Sequence, residues 1–165
     1  MALIDGMLQE LEREAHTTRR VLERVPDDQL SWRPHKTART LGELALHIAT
    51  VPGAVAQLAS KSPAQAPQFT DPAPRSAAEL VPALNESIAK AKQVLGGMDD
   101  EALAATWRLM QGERELLAMP RAAILRNIML NHWYHHRGQL TVYLRQLGVP
   151  IPSVYGPSGD ENPFA

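Results

Sequence analysis

The sequence predicts an all-α protein: a four-helix bundle with long crossover loops and an irregular C-terminal tail. Two observations carry this. Long proline-free stretches place apolar residues every three or four positions, the period of a helix with one buried face. No set of segments shows the two-residue alternation of a sheet with one solvated face. A length of 165 residues suits a single domain over 1–165, large enough to bury a core without covalent staples.

The first helix is expected over residues 2–25, on the stripe Ile4, Leu8, Leu11, Ala15, Thr18, Leu22 and Val25, with Pro26 ending it. Glu10, Glu12, Arg13, Arg19 and Glu23 occupy its other faces. Residues 27–39 read as a loop anchored by Trp32 and Pro34. The second helix opens on Thr40-Leu-Gly-Glu43, a capping-box pattern, and carries Leu41, Leu44, His47, Ile48, Val51 and Val55. Pro52 inside it predicts a kink or a break. Residues 60–75, rich in proline, form a loop. Ser76-Ala-Ala-Glu79 reads as a second capping box before the stripe Leu80, Leu84, Ile88, Ala91, Leu95, which Gly96-Gly97 ends. Residues 98–119 are ambiguous. Asp99-Asp100-Glu101 suits the start of a short helix, and Trp107 to Leu117, centred on Gln111-Gly112, suits a small hairpin or an irregular crossover. The fourth helix runs from Pro120 to Gly148, about 28 residues or roughly 42 Å. The tail after it holds too much Pro and Gly to be helical.

Composition narrows the function. Lys plus Arg number 17 against 18 Asp plus Glu, a formal net charge of −1, which argues against a basic nucleic-acid-binding face. No apolar run is expected to reach the ~20 residues that span a bilayer. The acidic start does not read as a secretory signal, so cytoplasmic residence is expected. There is no cysteine, which excludes disulfides, thiolate ligands and a cysteine nucleophile. There are six histidines.

Three of the six sit where the helical period demands apolar residues. The fourth helix presents Ile124, Ile128, His132, His136, Leu140 and Leu144 in one row. A spacing of four puts His132 and His136 on one face, roughly 6 Å apart along the axis, within reach of one metal ion at ~2.0–2.1 Å per nitrogen. His47 occupies the core stripe of the second helix. If the two helices are neighbours, three imidazoles meet inside the bundle. The competing reading is a set of satisfied core histidines, which needs partners for every buried ring nitrogen. His135 points about 100° away from His136 and suits a helix or dimer contact, or support of the pair. His16 and His35 are expected to face solvent. Between Arg121 and Leu147 there is no Asp or Glu. His132-Trp-Tyr-His-His136 therefore lacks the general base of a His-Glu-x-x-His protease, and no carboxylate on this helix completes a two-His, one-carboxylate iron site. Three neutral ligands would leave a metal's +2 charge uncompensated and favour an anionic fourth ligand: hydroxide, carboxylate or thiolate.

Together these residues resemble a known family. Thr40-Leu-Gly-Glu-Leu-Ala-Leu-His47-Ile-Ala, Asn131-His132, His135-His136-Arg-Gly-Gln-Leu140, Tyr143-Leu-Arg, Gly148-Val-Pro and Tyr155-Gly-Pro-Ser-Gly-Asp160-Glu161 occur in the order expected of the DinB-like family of metal-binding four-helix bundles. The resemblance spans almost the whole chain. It implies a homodimer with a divalent metal on His47, His132 and His136, zinc or nickel first and iron, manganese or copper after them; imidazole suits zinc, nickel, iron and copper. Members of the wider superfamily resemble transferases or isomerases that use a low-molecular-weight thiol such as bacillithiol or mycothiol, so a small-molecule substrate and an external thiol are the implied partners. Under that reading Arg137 is a candidate to hold an anionic group, against an interhelical salt bridge. Tyr134 and Tyr155 are candidates to donate a hydrogen bond to a leaving group, against core packing. Asp160 or Glu161 would orient a ligand histidine, against a solvated tail. Two other readings stand beside it: a hydrolase using a metal-bound hydroxide, with Glu43 or the tail acids as base, and a non-enzymatic bundle.

Overall fold

The computed structural model describes residues 3–68 and 70–165. Ala2, where the stripe predicts the first helix to begin, lies outside them. Helix α1 spans Leu3–Leu22, α2 Leu41–Ala59, α3 Leu80–Leu95 and a short α4 Asp100–Ala104. The final rod runs without a break through α5 (Arg121–Ile124), a π-helical segment (Leu125–Asn131) and α6 (His132–Gln146). On one side α2 packs against α3, and on the other against the π segment and α6. Helix α1 packs against both α3 and α6, closing a ring of four rods. Leu11, Leu44, Ile48, Leu84, Leu130 and Leu140 fill its interior.

The all-α expectation is corrected by three short strands, β1 (Ala64–Gln65), β2 (Thr106–Gln111) and β3 (Arg114–Pro120). β1 pairs with β2 in parallel, and β2 with β3 antiparallel from Thr106↔Pro120 to Gln111↔Arg114. The two-residue turn at Gly112-Glu113 needs a positive φ at its first position, and Gly112 supplies it at +60°. The hairpin arises where Gln111-Gly112 suggested one. Alternation could not reveal it, because Trp107 alone is buried on β2 and no residue of β3 is. Trp107 is the anchor: its indole N–H donates to the Leu58 carbonyl at 3.3 Å. Arg121 donates through Nε to the Ala59 carbonyl at 2.8 Å and through Nη1 to that of Ala102. The Ala59 carbonyl, beyond the reach of the helical ladder, is met this way, and the Leu58 carbonyl gains a second donor beside the Lys61 N–H at 3.4 Å.

The capping box at Thr40 forms. Glu43 N–H donates to Thr40 Oγ1 at 3.2 Å, and the Thr40 N–H donates to Glu43 Oε2 at 2.7 Å. The one expected at Ser76 does not. Residues Ala77–Glu79 make a 3-10 turn with no side-chain cap: the Glu79 N–H donates to the Ser76 carbonyl at 3.2 Å, and the Ala77 N–H donates to Asp27 Oδ1 at 2.6 Å. Pro82 tolerates only the first turn of a helix, and α3 accordingly starts at Leu80. Asp99 caps α4 by accepting from the Ala102 N–H at 2.7 Å.

Helix α2 also departs from expectation. At 19 residues it meets the length and composition of a bilayer span, yet 56% of that window is buried inside the protein, the position of a core helix. Pro52 does not break it. A proline at position 52 has no N–H for the Ile48 carbonyl, its partner four residues back. The fully buried Trp133 of α6 fills that place, its indole N–H donating to the Ile48 oxygen at 2.8 Å. One residue on, the Gly53 N–H donates to Ser87 Oγ of α3 at 2.8 Å. A Cβ at Gly53 would meet the Ser87 carbonyl oxygen at 2.7 Å, so glycine here permits the close approach of α2 and α3.

This pairing generates a rescue prediction. Trp133→Phe orphans a buried carbonyl and should destabilise by about 1–3 kcal/mol. Pro52→Ala restores an N–H to the Ile48 oxygen, so the double variant should recover part of the loss in chemical denaturation. Strictly additive effects would refute the account.

Candidate metal centre

His47 of α2 and His132 and His136 of α6 converge. Their ring centroids lie 4.4 to 5.3 Å apart in edge-to-face pairs, and one ring nitrogen from each falls within 4.8 Å of the others. The elements explain the convergence. The Trp133–Ile48 bond joins the neighbours of His132 and His47. The π segment then sets the angle at which α6 meets α2. Ile124 and Leu125, and five residues later Met129 and Leu130, are the buried pairs there, matching the i→i+5 repeat of a π turn. The predicted uniform row is therefore broken. Ile128 turns out to solvent, while His136, Leu140 and Leu144 resume the buried face.

The hydrogen-bond pattern fits a metal. His136 Nδ1 lies 2.7 Å from Gln139 Oε1. The amide oxygen only accepts, so Nδ1 carries the proton and Nε2 keeps its lone pair. His136 Nε2 and His132 Nε2 are 2.8 Å apart. His47 Nε2 and His132 Nδ1 are buried with no hydrogen-bond partner, the two such side-chain atoms among the described residues. His132 Nδ1 feels the Ile128 carbonyl one turn back, though outside hydrogen-bond geometry. A purely structural histidine cluster would have to leave these nitrogens unsatisfied at a cost. A divalent ion accepting three Nε2 lone pairs would satisfy His47 Nε2 and give the facing His132 and His136 Nε2 atoms a shared partner.

Electrostatics keeps the ligands neutral. Burial first, then the nearby Arg39 charge, lower the His47 value to about 4. Burial lowers His136 to about 4 against the raising effect of Gln139. His132 is lowered as well, again chiefly by burial.

The cluster opens on a cavity of about 340 Å³ lined by Thr37, Arg39, Asp71, His136, Gln139 and Tyr143, among others. Arg39, Gln139 and Tyr143 carry no site role in the sequence reading, although Gln139 and Tyr143 stand in the family motifs and follow His136 at three and seven residues on one helical face. The two predicted catalytic residues point elsewhere. Arg137 is 2% exposed and faces α1. It pairs with Glu14 at 2.7 Å, donates to Thr18 Oγ1 at 3.1 Å and to the Tyr155 hydroxyl at 2.5 Å, and stacks 5.3 Å from the Tyr134 ring. The Tyr134 hydroxyl donates to Glu10 Oε1 at 2.9 Å, and burial with that carboxylate holds its proton on. Arg137 makes the interhelical salt bridge named as its alternative, and Tyr134, whose alternative is core packing, packs against the core while its hydroxyl ties to α1. Tyr155 donates to Glu14 Oε2 at 2.9 Å. Asp160 pairs with Arg145, and Glu161 with Arg20. These acids pin the tail rather than orient a histidine. Glu43 is held in its capping box. His16, His35 and His135 are exposed, His135 standing edge-on to His136 at 5.1 Å.

Residues 2–162 match the model of the DinB family. The chain belongs to the DinB family. The uncharacterized protein YrdA of Bacillus subtilis strain 168 is 29% identical over 162 residues, spanning 96% of this chain and 91% of that protein. The crystal structure of a DinB-like protein from Bacillus cereus ATCC 10987 matches with a TM-score of 0.67 and 30% identity, over 92% of this chain and 97% of that one. The DinB-like protein YjoA from Bacillus subtilis matches with a TM-score of 0.66 over 87% of this chain and 92% of that one; at 22% identity it speaks for the fold alone. The two solved structures share this chain's fold over nearly their full lengths.

Two predictions follow from the geometry. Gln139→Leu frees the His136 ring to turn and change tautomer, so affinity for zinc should fall about 10–100-fold in competition with a chromogenic chelator, with the metal-free fold unchanged by circular dichroism. The lowered histidines also set a pH window. Below about 6.5 the unfolded chain takes up these protons before the folded one does, and the folded value is about 4 for His47 and His136. Stability of the metal-free protein should therefore be level above pH 6.5 and decline as pH falls towards 4. Melting temperatures in chelator test this, and a His47→Gln/His136→Gln variant should show a shallower decline.

Proposed function

We propose that the ring of α1, α3, α2 and α6 is the four-helix bundle of a single metal-binding domain, and that its three histidines hold a divalent ion, zinc or nickel, to act on an external low-molecular-weight thiol as an S-transferase or isomerase. The observation that carries this reading is the pair of facts at His136: its Nε2 faces two other imidazoles, and its ring also lines an open cavity. Three neutral ligands beside such a cavity leave a coordination position for an incoming anion, as catalytic sites do and closed structural sites do not. A metal bound there would lower the pKa of a thiol and favour the thiolate nucleophile.

The chain's own residues do the rest. Gln139 holds the His136 proton on Nδ1. Trp133 keeps the two helices in register beneath the cluster. Arg39 places a positive charge beside the histidines, and Tyr143 and Thr37 give the cavity polar wall atoms. The absence of cysteine makes the thiol a cosubstrate rather than a side chain. The hydrolase reading is the weaker one. Its proposed base Glu43 is committed to the cap of α2, and Asp71, the carboxylate among the lining residues, is paired with Arg39 at 2.6 Å.

The test is elemental analysis of the purified protein followed by a thiol screen against monobromobimane with the metal restored. A metal-dependent rate with at least one thiol, reduced to background by His132→Ala, is expected. No rate above that variant with any thiol would overturn the reading.

A further inference from the structure

The cavity beside the histidines carries an opposed pair of charges. Its lining contains Arg39 and a single carboxylate, Asp71. Arg39 lies close enough to the cluster to oppose protonation of all three histidines, and Asp71 close enough to His47 to favour it. The backbone carbonyl of Arg39 accepts from the Tyr143 hydroxyl at 3.4 Å, which ties this segment to α6. The residue immediately after Arg39 is the Thr40 cap of α2. The guanidinium is therefore attached to the same helix start that carries His47 seven residues on.

Arg39 meets Asp71 through one nitrogen only, Nε to Oδ1 at 2.6 Å. Among the described residues its two terminal amino groups have no protein acceptor. Arg39 and Asp71 side chains are 30% and 44% exposed, so this is a pair that solvent and ligand can reach, not a buried tie like that of Arg137. A guanidinium with unused donors presents the planar fork that matches a carboxylate in bidentate geometry. The Asp71 contact shows that a carboxylate fits against one edge of it. Neutral ligands make a bound divalent ion add its whole charge to this same cavity.

We propose that Arg39 is the substrate-binding residue of this site, and that the site selects small molecules bearing a carboxylate, held on the free fork of Arg39 while their reactive group reaches the histidine cluster. This rests on the thiol reading above in one respect: the favoured thiol is a carboxylate-bearing one. Asp71, on the Nε edge, offsets the Arg39 charge without occupying the fork, which tunes affinity and keeps the cation from binding stray anions tightly.

The experiment uses full-length protein loaded with cobalt(II), whose thiolate charge-transfer band reports sulfur at the metal without any turnover. The protein is titrated with 3-mercaptopropionate and with 2-mercaptoethanol. The carboxylate thiol should bind about tenfold or more tightly, the scale of one charge-assisted hydrogen-bonded contact. Arg39→Met should abolish the preference while leaving cobalt stoichiometry and circular dichroism unchanged, Arg39→Lys should keep part of it, and Asp71→Asn should increase it. Equal affinities for the two thiols in the unaltered protein would overturn the proposal and leave the thiol reading standing. If neither thiol gives a band, the thiol reading fails. Calorimetric titration with succinate then decides the proposal: heat that disappears in Arg39→Met sustains it, and no heat overturns it.

Discussion

The missing N–H of Pro52 is the constraint on which the architecture turns. A proline inside a buried helix leaves a carbonyl that water cannot reach, and such a group must find a donor within the protein. The donor comes from another element, the Trp133 indole, and a hydrogen bond tolerates little sliding or rotation. One bond therefore fixes height and azimuth of α6 against α2 at the level where His47, His132 and His136 stand. The same opening in the α2 ladder admits Ser87 from α3, whose hydroxyl accepts from Gly53 and donates to the Thr50 carbonyl at 3.1 Å. Two neighbours of α2 are thus positioned by a single interruption of its backbone pattern.

The face of the final rod that meets α1 carries the charges, Arg126 in the π segment and Arg137 in α6. Arg126 grips Glu10 with two bonds of 2.8 Å, and Arg137 is enclosed by Glu14, Thr18 and Tyr155. The Arg137 pair is the buried one; such a pair adds little net stability because desolvation offsets attraction, but a displaced one is expensive. Its effect is to penalise other registers of α1 against α6. The tail joins this arrangement through Tyr155, and the Arg20–Glu161 and Arg145–Asp160 pairs hold it down. The rod that bears two of the three histidines is in this way clamped on both faces, by an uncharged bond towards α2 and by ion pairs towards α1.

Much of this is written in local sequence. The four long helices, the Thr40 cap, the Asp99 start and the turn at Gly112 follow from period, cap chemistry and glycine, all of which act within a few residues. The three converging histidines were readable for a related reason: a polar residue on an apolar stripe has to have a use. What escaped is non-local. The sheet has almost no buried face, so no alternation marks it. Ser76 has the residue types of a cap, yet the Glu79 N–H it would have taken goes to the Ser76 carbonyl in a 3-10 turn, and Asp27, about fifty positions away in the chain, holds the neighbouring Ala77 N–H. Arg137 and Tyr134 adjoin a site histidine in sequence but lie a fraction of a turn around the helix, which aims them at α1. Arg39 and Asp71 come from separate loops, and only the folded chain brings them to one cavity.

The π segment has a consequence for how this site can vary. A helix that gains a residue within one turn keeps its two ends while rotating everything beyond the insertion by roughly 100°. Leu125–Asn131 thus behaves as a phase setting between the part of the rod that packs the core and the part that holds the chemistry. Lengthening or shortening it by one position would re-aim His132 and His136 without altering any side chain in the centre. Chains sharing this scaffold can therefore differ in whether a bundle interior carries a metal centre through a change in backbone phase alone, one that a comparison of histidine content would not detect.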